Sequence, residues 1–228
     1  ELAIGKIPRP IVVDIGESGR GLKSIKALVA QAGRETLLDE VRFDGSMLLA
    51  GSGVKTHRLT LTLDPRQLKL SEGEALLRIT AVDYAWRNWW NGNQTVVDIP
   101  LIIDGRPPSI AALSRFHYLN QGGSGLFVYR LDEPCPRHGV LVGDRFFPGY
   151  PAEAGQPLTM MAFFAVGYDQ KPDTVIRAQA VDRAGNEAFA GFNYRIRAKR
   201  FRNDVLNISE QFIEQKMRPL LETAGGTA

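Results

Sequence analysis

Between His57 and Leu63 the apolar residues Leu59, Leu61 and Leu63 alternate with Arg58, Thr60 and Thr62. That period of two predicts a strand with one face on a core and the other in water. The next apolar stretch repeats it, with Ala75, Leu77, Ile79 and Ala81 on one side, Arg78 and Thr80 on the other, and Ser71-Glu-Gly-Glu74 as the preceding turn. Further along, Phe127–Leu131, Val140–Val142, Thr159–Ala165 and Val175–Ala180 read as strands, with Gly143-Asp144 and Pro148-Gly149 supplying turns. Near the end the period changes. From Asn207 onward Ile208, Phe212, Ile213, Met217 and Leu220 fall at helical spacing, Asn207 stands as N-cap with Glu210 three residues later, and Pro219 is expected to end or kink the helix near Arg218.

Three short landmarks recur in the same order. Pro8-Arg-Pro-Ile11 returns as Pro107-Pro-Ser-Ile110, Gly19-Arg-Gly-Leu22 as Gly123-Ser-Gly-Leu126, and Ala81-Val-Asp-Tyr-Ala85 as Ala180-Val-Asp-Arg-Ala184, at offsets of 99, 104 and 99 residues. The turn-rich segment Asp104-Gly-Arg-Pro-Pro108 separates the two copies. Many short strands with no helix between them indicate antiparallel packing and not a parallel α/β sheet. The expected fold is all-β: an immunoglobulin-like sandwich over residues 1–105, a second over 106–202, and an amphipathic helix with a tail over 203–228.

Composition narrows the function classes. The 228 residues are long enough for two cores, and no apolar run approaches the roughly 20 residues of a membrane-spanning helix. A net charge of +3 is the small difference between 28 basic and 25 acidic residues, so nucleic acid is not an expected partner. The single Cys135 excludes an intramolecular disulfide and a multi-cysteine metal site.

Catalytic motifs are missing. The stretch from Ile11 to Ser24 resembles a phosphate loop, but Leu22 intervenes before Lys23 and alternating residues follow where that loop needs a helix. His57, His117 and His138 have no His-x-x-x-His, His-x-x-x-Asp or His-x-His partner, and Cys135-Pro-Arg-His138 beside Asp132 and Glu133 reads as a solvated hairpin loop. No catalytic, cofactor-binding or metal residue is assigned. Two clusters remain as contact candidates. Tyr84, Trp86, Trp89 and Trp90 could stack on sugar rings or a partner surface, although large aromatics are usually buried. Arg195, Arg197 and Lys199 share one face of the last strand, as an anion-binding face or an edge that resists aggregation. The helical stripe of Ile208, Phe212, Ile213 and Met217 needs something to dock against.

Ala180-Val-Asp-Arg-Ala-Gly-Asn186 resembles a signature of bacterial immunoglobulin-like repeats, with Asp182 placed to cap the turn at Gly185 and Asn186. With Gly139–Asp144, Phe147–Tyr150, Phe163–Ala165, Lys199–Arg202, Asn207–Phe212 and Lys216-Met217, it also looks like the region preceding the catalytic domain in LytM or lysostaphin-type metallopeptidases. That resemblance implies the non-catalytic, positioning or regulatory arm of a peptidoglycan-cleaving zinc endopeptidase. The catalytic domain, its zinc and its His-x-x-x-Asp and His-x-His ligands would lie beyond this chain. The expected setting is the periplasmic side of a bacterial envelope, with an inner-membrane anchor upstream as the only membrane contact. The alternative is a stand-alone envelope module that binds glycan or protein through the Trp86–Trp90 cluster.

Overall fold

Alternating inward apolar residues form the strands here, and the positions predicted to face a core do so. The computed structural model describes residues 2–45, 51–85, 92–202 and 204–220. In the first sandwich these are β1 (Leu2–Ile4), β2 (Arg9–Gly16), β3 (Leu22–Gln31), β4 (Arg34–Arg42), β5 (Thr56–Leu63), β6 (Gly73–Asp83) and β7 (Gln94–Ile103). One sheet runs β1-β7-β6-β3-β4 and is faced by the pair β2-β5. β1 lies parallel to β7 while the remaining pairs are antiparallel. Ile4, Leu22, Ile25, Val29, Leu59, Leu61, Leu63, Leu77, Ile79 and Leu101 are buried between the layers.

The second sandwich contains β8 (Ile110–Ala112), β9 (His117–Asn120), β10 (Ser124–Leu131), β11 (Arg137–Val142), β12 (Arg145–Pro148), β13 (Tyr150–Pro151), β14 (Thr159–Ala165), β15 (Ile176–Val181), β16 (Glu187–Gly191) and β17 (Tyr194–Arg197). The order β13-β14-β10-β8 faces β12-β11-β15-β16, and β17 pairs in parallel with β9. Phe127, Tyr129, Val140, Val142, Phe164, Ile176 and Ile196 fill its own core. This is the all-β, immunoglobulin-like architecture the strand pattern predicts.

The internal repeat holds in topology, with a correction to its landmarks. β2, β3, β5 and β6 occupy the places of β10, β11, β14 and β15, and β1 on β7 corresponds to β9 on β17. Ala81-Val-Asp83 and Ala180-Val-Asp182 do close equivalent strands. The other two landmarks do not: Gly19–Leu22 leads into β3 whereas Gly123–Leu126 leads into β10, and Pro8–Ile11 enters β2 whereas Pro107–Ile110 enters β8. Glycine and proline at a strand entrance answer a turn requirement that any strand can have, so they recur without marking equivalence.

Residues 198–228 form a separate unit. Its helix α1 (Glu210–Phe212) is capped by Ser209, whose side chain accepts from the Phe212 N–H, and not by Asn207. It continues as a π-helical turn over Ile213–Met217, with the Arg218 N–H donating to the Ile213 carbonyl. Residues 218–220 are again helical, so Pro219 does not end the helix near Arg218; it follows directly on the widened turn, which fits a residue that lacks the N–H an ordinary α turn would use. No helix among the described residues is long and apolar enough to cross a membrane.

Candidate functional site

A polar network centred on Asn186 joins the two sandwiches. It grows from the turn between β15 and β16, where Gly185 takes the left-handed conformation at φ +87° that a side chain would resist. Asp182, buried at that turn, accepts from the Asn186 backbone N–H and from its Nδ2, both at 2.8 Å. The Asn186 amide then reaches out of its own sandwich. Its Nδ2 also donates to the Asp104 carbonyl at 2.7 Å, and its Oδ1 accepts from the Lys6 N–H at 3.2 Å. Lys6 follows β1 and Asp104 follows β7, so one side chain holds both ends of the first sandwich. The close approach needs Gly5, since a Cβ there would stand 2.6 Å from the Ala184 carbonyl oxygen and 2.7 Å from Asn186 Oδ1.

The first sandwich uses the same chemistry with a longer turn. Asp83 accepts from the Ala85 N–H and from the Asn93 N–H and Nδ2, although Trp86 and Arg87 replace the glycine of the second copy.

At the junction Asp104, Glu133 and Asp182 bring carboxylate oxygens within 4.8 Å of one another, the one metal-compatible group of three among the described residues. Both Asp182 oxygens are already engaged by Asn186. Burial, and then the neighbouring charges of Asp182, Asp104 and Asp132, raise the Glu133 carboxyl above its ordinary range. The cluster is a charged seam beside the Asn186 network.

Cys135 and His138 are occupied separately. The Cys135 Sγ lies 3.6 Å from the Glu133 carbonyl, and burial pushes its thiol up to about 12, which leaves it unreactive. His138 Nδ1 and the Tyr129 hydroxyl are 2.7 Å apart, and burial lowers the affinity of this imidazole for a second proton. His117 is likewise depressed by burial, among the rings of Phe127, Phe164 and Phe192, with Nε2 buried and without a hydrogen-bond partner among the described residues. No acid, base and nucleophile converge among the described residues.

The contact candidates divide. Trp86, Trp89 and Trp90 lie outside the described residues. Tyr84 is buried, with its hydroxyl donating to the Phe43 carbonyl at 2.7 Å, so it supports the fold and faces no ligand. Arg195 and Arg197 flank buried Ile196 and point outward, but Lys199 lies beyond the end of β17 and shares no strand face with them. The strand stops at Arg197 because β9, its partner, stops opposite at Asn120. Ile208, Phe212, Ile213 and Met217 are all exposed.

Sequence reasoning passed over Phe116 and Tyr118. Their rings sit 4.6 Å apart, and Tyr118, 80% exposed, stands opposite Arg195. Tyr118 alternates with buried His117 and Leu119, a period-two signal that was available.

A cleft of about 240 Å³ opens on the first sandwich between the outer edge of β2 and the face formed by β6 and β7. Val13, Ile15, Ile79, Val97 and Ile99 supply most of its apolar lining.

No family model and no curated protein matches this chain. Among solved structures, a three-immunoglobulin-domain fragment of titin aligns at 14% identity and TM-score 0.36, over 86% of this chain and 62% of that one. An ICAM-5 ectodomain fragment aligns at 17% identity and TM-score 0.29, over 86% of this chain and 51% of that one. A Bacteroides ovatus glucan-utilisation protein, SGBP-B, solved with a mixed-linkage heptasaccharide, aligns at 9% identity and TM-score 0.27, over 86% and 42%. The chain thus spans less than two thirds of each.

Proposed function

We propose that this chain is a non-catalytic arm that positions or restrains a peptidoglycan-hydrolysing zinc endopeptidase domain lying beyond Ala228 in a longer, membrane-anchored envelope protein. The observation that carries this reading is the join at Asn186. Two separate cores are tied by one buried side chain, Asn186, which accepts from the Lys6 N–H and donates to the Asp104 carbonyl. Such a join suits a spacer whose task is to hold a fixed geometry. The enzyme class comes from the resemblance of the second sandwich and the following residues to the segment that precedes the catalytic domain in LytM-type peptidases. The exposed stripe of Ile208, Phe212, Ile213 and Met217 is then the coupling surface toward that domain.

The test is to express the reading frame through the region after Ala228 and to measure zinc-dependent cleavage of peptidoglycan with native chain and with Asn186→Ala. Cleavage that depends on His-x-x-x-Asp and His-x-His residues, with a rate changed by Asn186→Ala, supports the reading. A longer product that lacks those motifs, or the end of the frame at this point, removes it.

A second reading, an envelope module that binds glycan or protein, has one specific support in the Phe116–Tyr118 pair exposed beside Arg195. It expects retention on peptidoglycan sacculi that is lost on Tyr118→Ala. Absence of retention at low salt dismisses it.

A further inference from the structure

The two sandwiches differ at one edge. In the second, β10 has neighbours on both sides: β14 on one, and on the other β8, paired through Tyr129↔Ala112, Arg130↔Ala111 and Leu131↔Ile110. In the first, the equivalent strand β2 pairs with β5 alone among the described residues. Among the described residues, no strand pairs with its other edge. The Glu17 N–H donates to the Lys55 carbonyl on the β5 side. N–H and C=O groups alternate sides along an antiparallel strand, so those of Asp14 and Gly16 face outward.

That free edge is one wall of the apolar cleft. Residues 13–17 line it consecutively, with Ile79 and Ala81 of β6 and Val97 and Ile99 of β7 opposite. β1 covers the outer edge of β7 only from Leu101 to Ile103, leaving the stretch beside the cleft without a neighbour among the described residues. In the second sandwich the corresponding space is filled. Ile110 of β8 packs against the core there, while Ala111 and Ala112 stay exposed.

We infer that the outer edge of β2 is the seat of one more strand, supplied by the same polypeptide from the N-terminal side of Leu2. The occupant follows from the copy: β8 comes directly before β9, and β1 is the equivalent of β9, so the matching strand comes directly before β1. It pairs antiparallel with Asp14 and Gly16, and an aliphatic side chain in the place of Ile110 enters the cleft between Val13, Ile15, Val97 and Ile99. The pairing would satisfy an edge that otherwise templates association. This inference concerns the fold around β2 and stands whether or not the arm reading is correct.

The experiment grafts a copy of residues 109–115 ahead of Glu1 and follows hydrogen exchange at the Asp14 and Gly16 amides by NMR. The expected result is exchange slowed by about tenfold or more at those two amides, with a higher melting temperature. Both effects should be lost when proline replaces the copied Ala111, which cannot then donate to the ladder. Unchanged exchange in the graft, or equal protection in its proline form, overturns the inference. Concentration-dependent protection of the ungrafted chain would assign the edge to a second copy and overturn it as well.

Discussion

Asn186 Oδ1 accepts a hydrogen bond from the Lys6 backbone N–H at 3.2 Å across the boundary of the two sandwiches. The same amide serves Asp104 and Asp182, so its removal strands several polar groups at once. Asn186→Ala is expected to cost about 2–4 kcal/mol, because a buried carboxylate loses one of its two donors while a linker carbonyl and the Lys6 N–H lose their side-chain partner. Calorimetry should then resolve two thermal transitions in place of one. A single unchanged transition would show that the sandwiches are coupled elsewhere.

Gly5→Ala attacks the same contact from the other side. The new Cβ meets a backbone carbonyl, which cannot swing away as a flexible side chain would. A loss of about 1–3 kcal/mol in urea unfolding is expected. The double variant with Asn186→Ala should lose less than the sum of the two single losses, since both act on one interface.

Acidification tests the two buried imidazoles. His117 and His138 both have folded proton affinities pushed below the ordinary 6.5 by burial, so the unfolded chain takes up protons first. Stability is therefore present in full above that pH and is lost as pH falls toward the folded values. His117→Phe, placed among three phenyl rings, should flatten the slope and raise stability by about 1 kcal/mol through removal of an unpartnered buried nitrogen. Denaturant melts from pH 7.5 to 5 measure it.

Glu133 has the opposite sign. Its carboxyl is raised above 4.5, first by burial and then by Asp182, Asp104 and Asp132. The folded state pays a penalty while Glu133 is ionised, and the penalty is relieved as pH falls through the raised value. Glu133→Gln should raise the melting temperature at pH 7 by about 2 °C and leave little of that gain at pH 4.

Cys135 should resist a thiol-directed chromogenic reagent at neutral pH in the native protein and react only on unfolding. Its thiol, pushed up to about 12 and buried, is neither ionised nor reachable. Rapid native-state labelling would refute this environment.

The strands were legible because one-sided burial writes itself into alternation, as Leu59, Leu61 and Leu63 show. The helix was legible in its stripe but not in its ends. Ser209 and Asn207 are both acceptable caps, and only backbone geometry selects Ser209. The junction was half legible: Asp182 was recognised as a turn cap, but nothing local announces that Asn186 also reaches Lys6, 180 residues away. Hydrogen bonds between distant segments leave no period in the chain. The repeat misled where it rested on glycine and proline, which mark turns and not lineage, and it held where it rested on Ala81-Val-Asp83 and Ala180-Val-Asp182, whose aspartates accept from Asn93 and Asn186 beyond β6 and β15.

In each sandwich a strand near the start lies parallel to one near the end, β1 on β7 and β9 on β17. Tension along the polypeptide pulls such partners in opposite directions along their length, so the bonds between them are loaded in shear and must yield together. Antiparallel partners pulled from the same end would open one bond at a time. Under an applied stretch, the two parallel ladders should be the elements that set the force at which the chain extends.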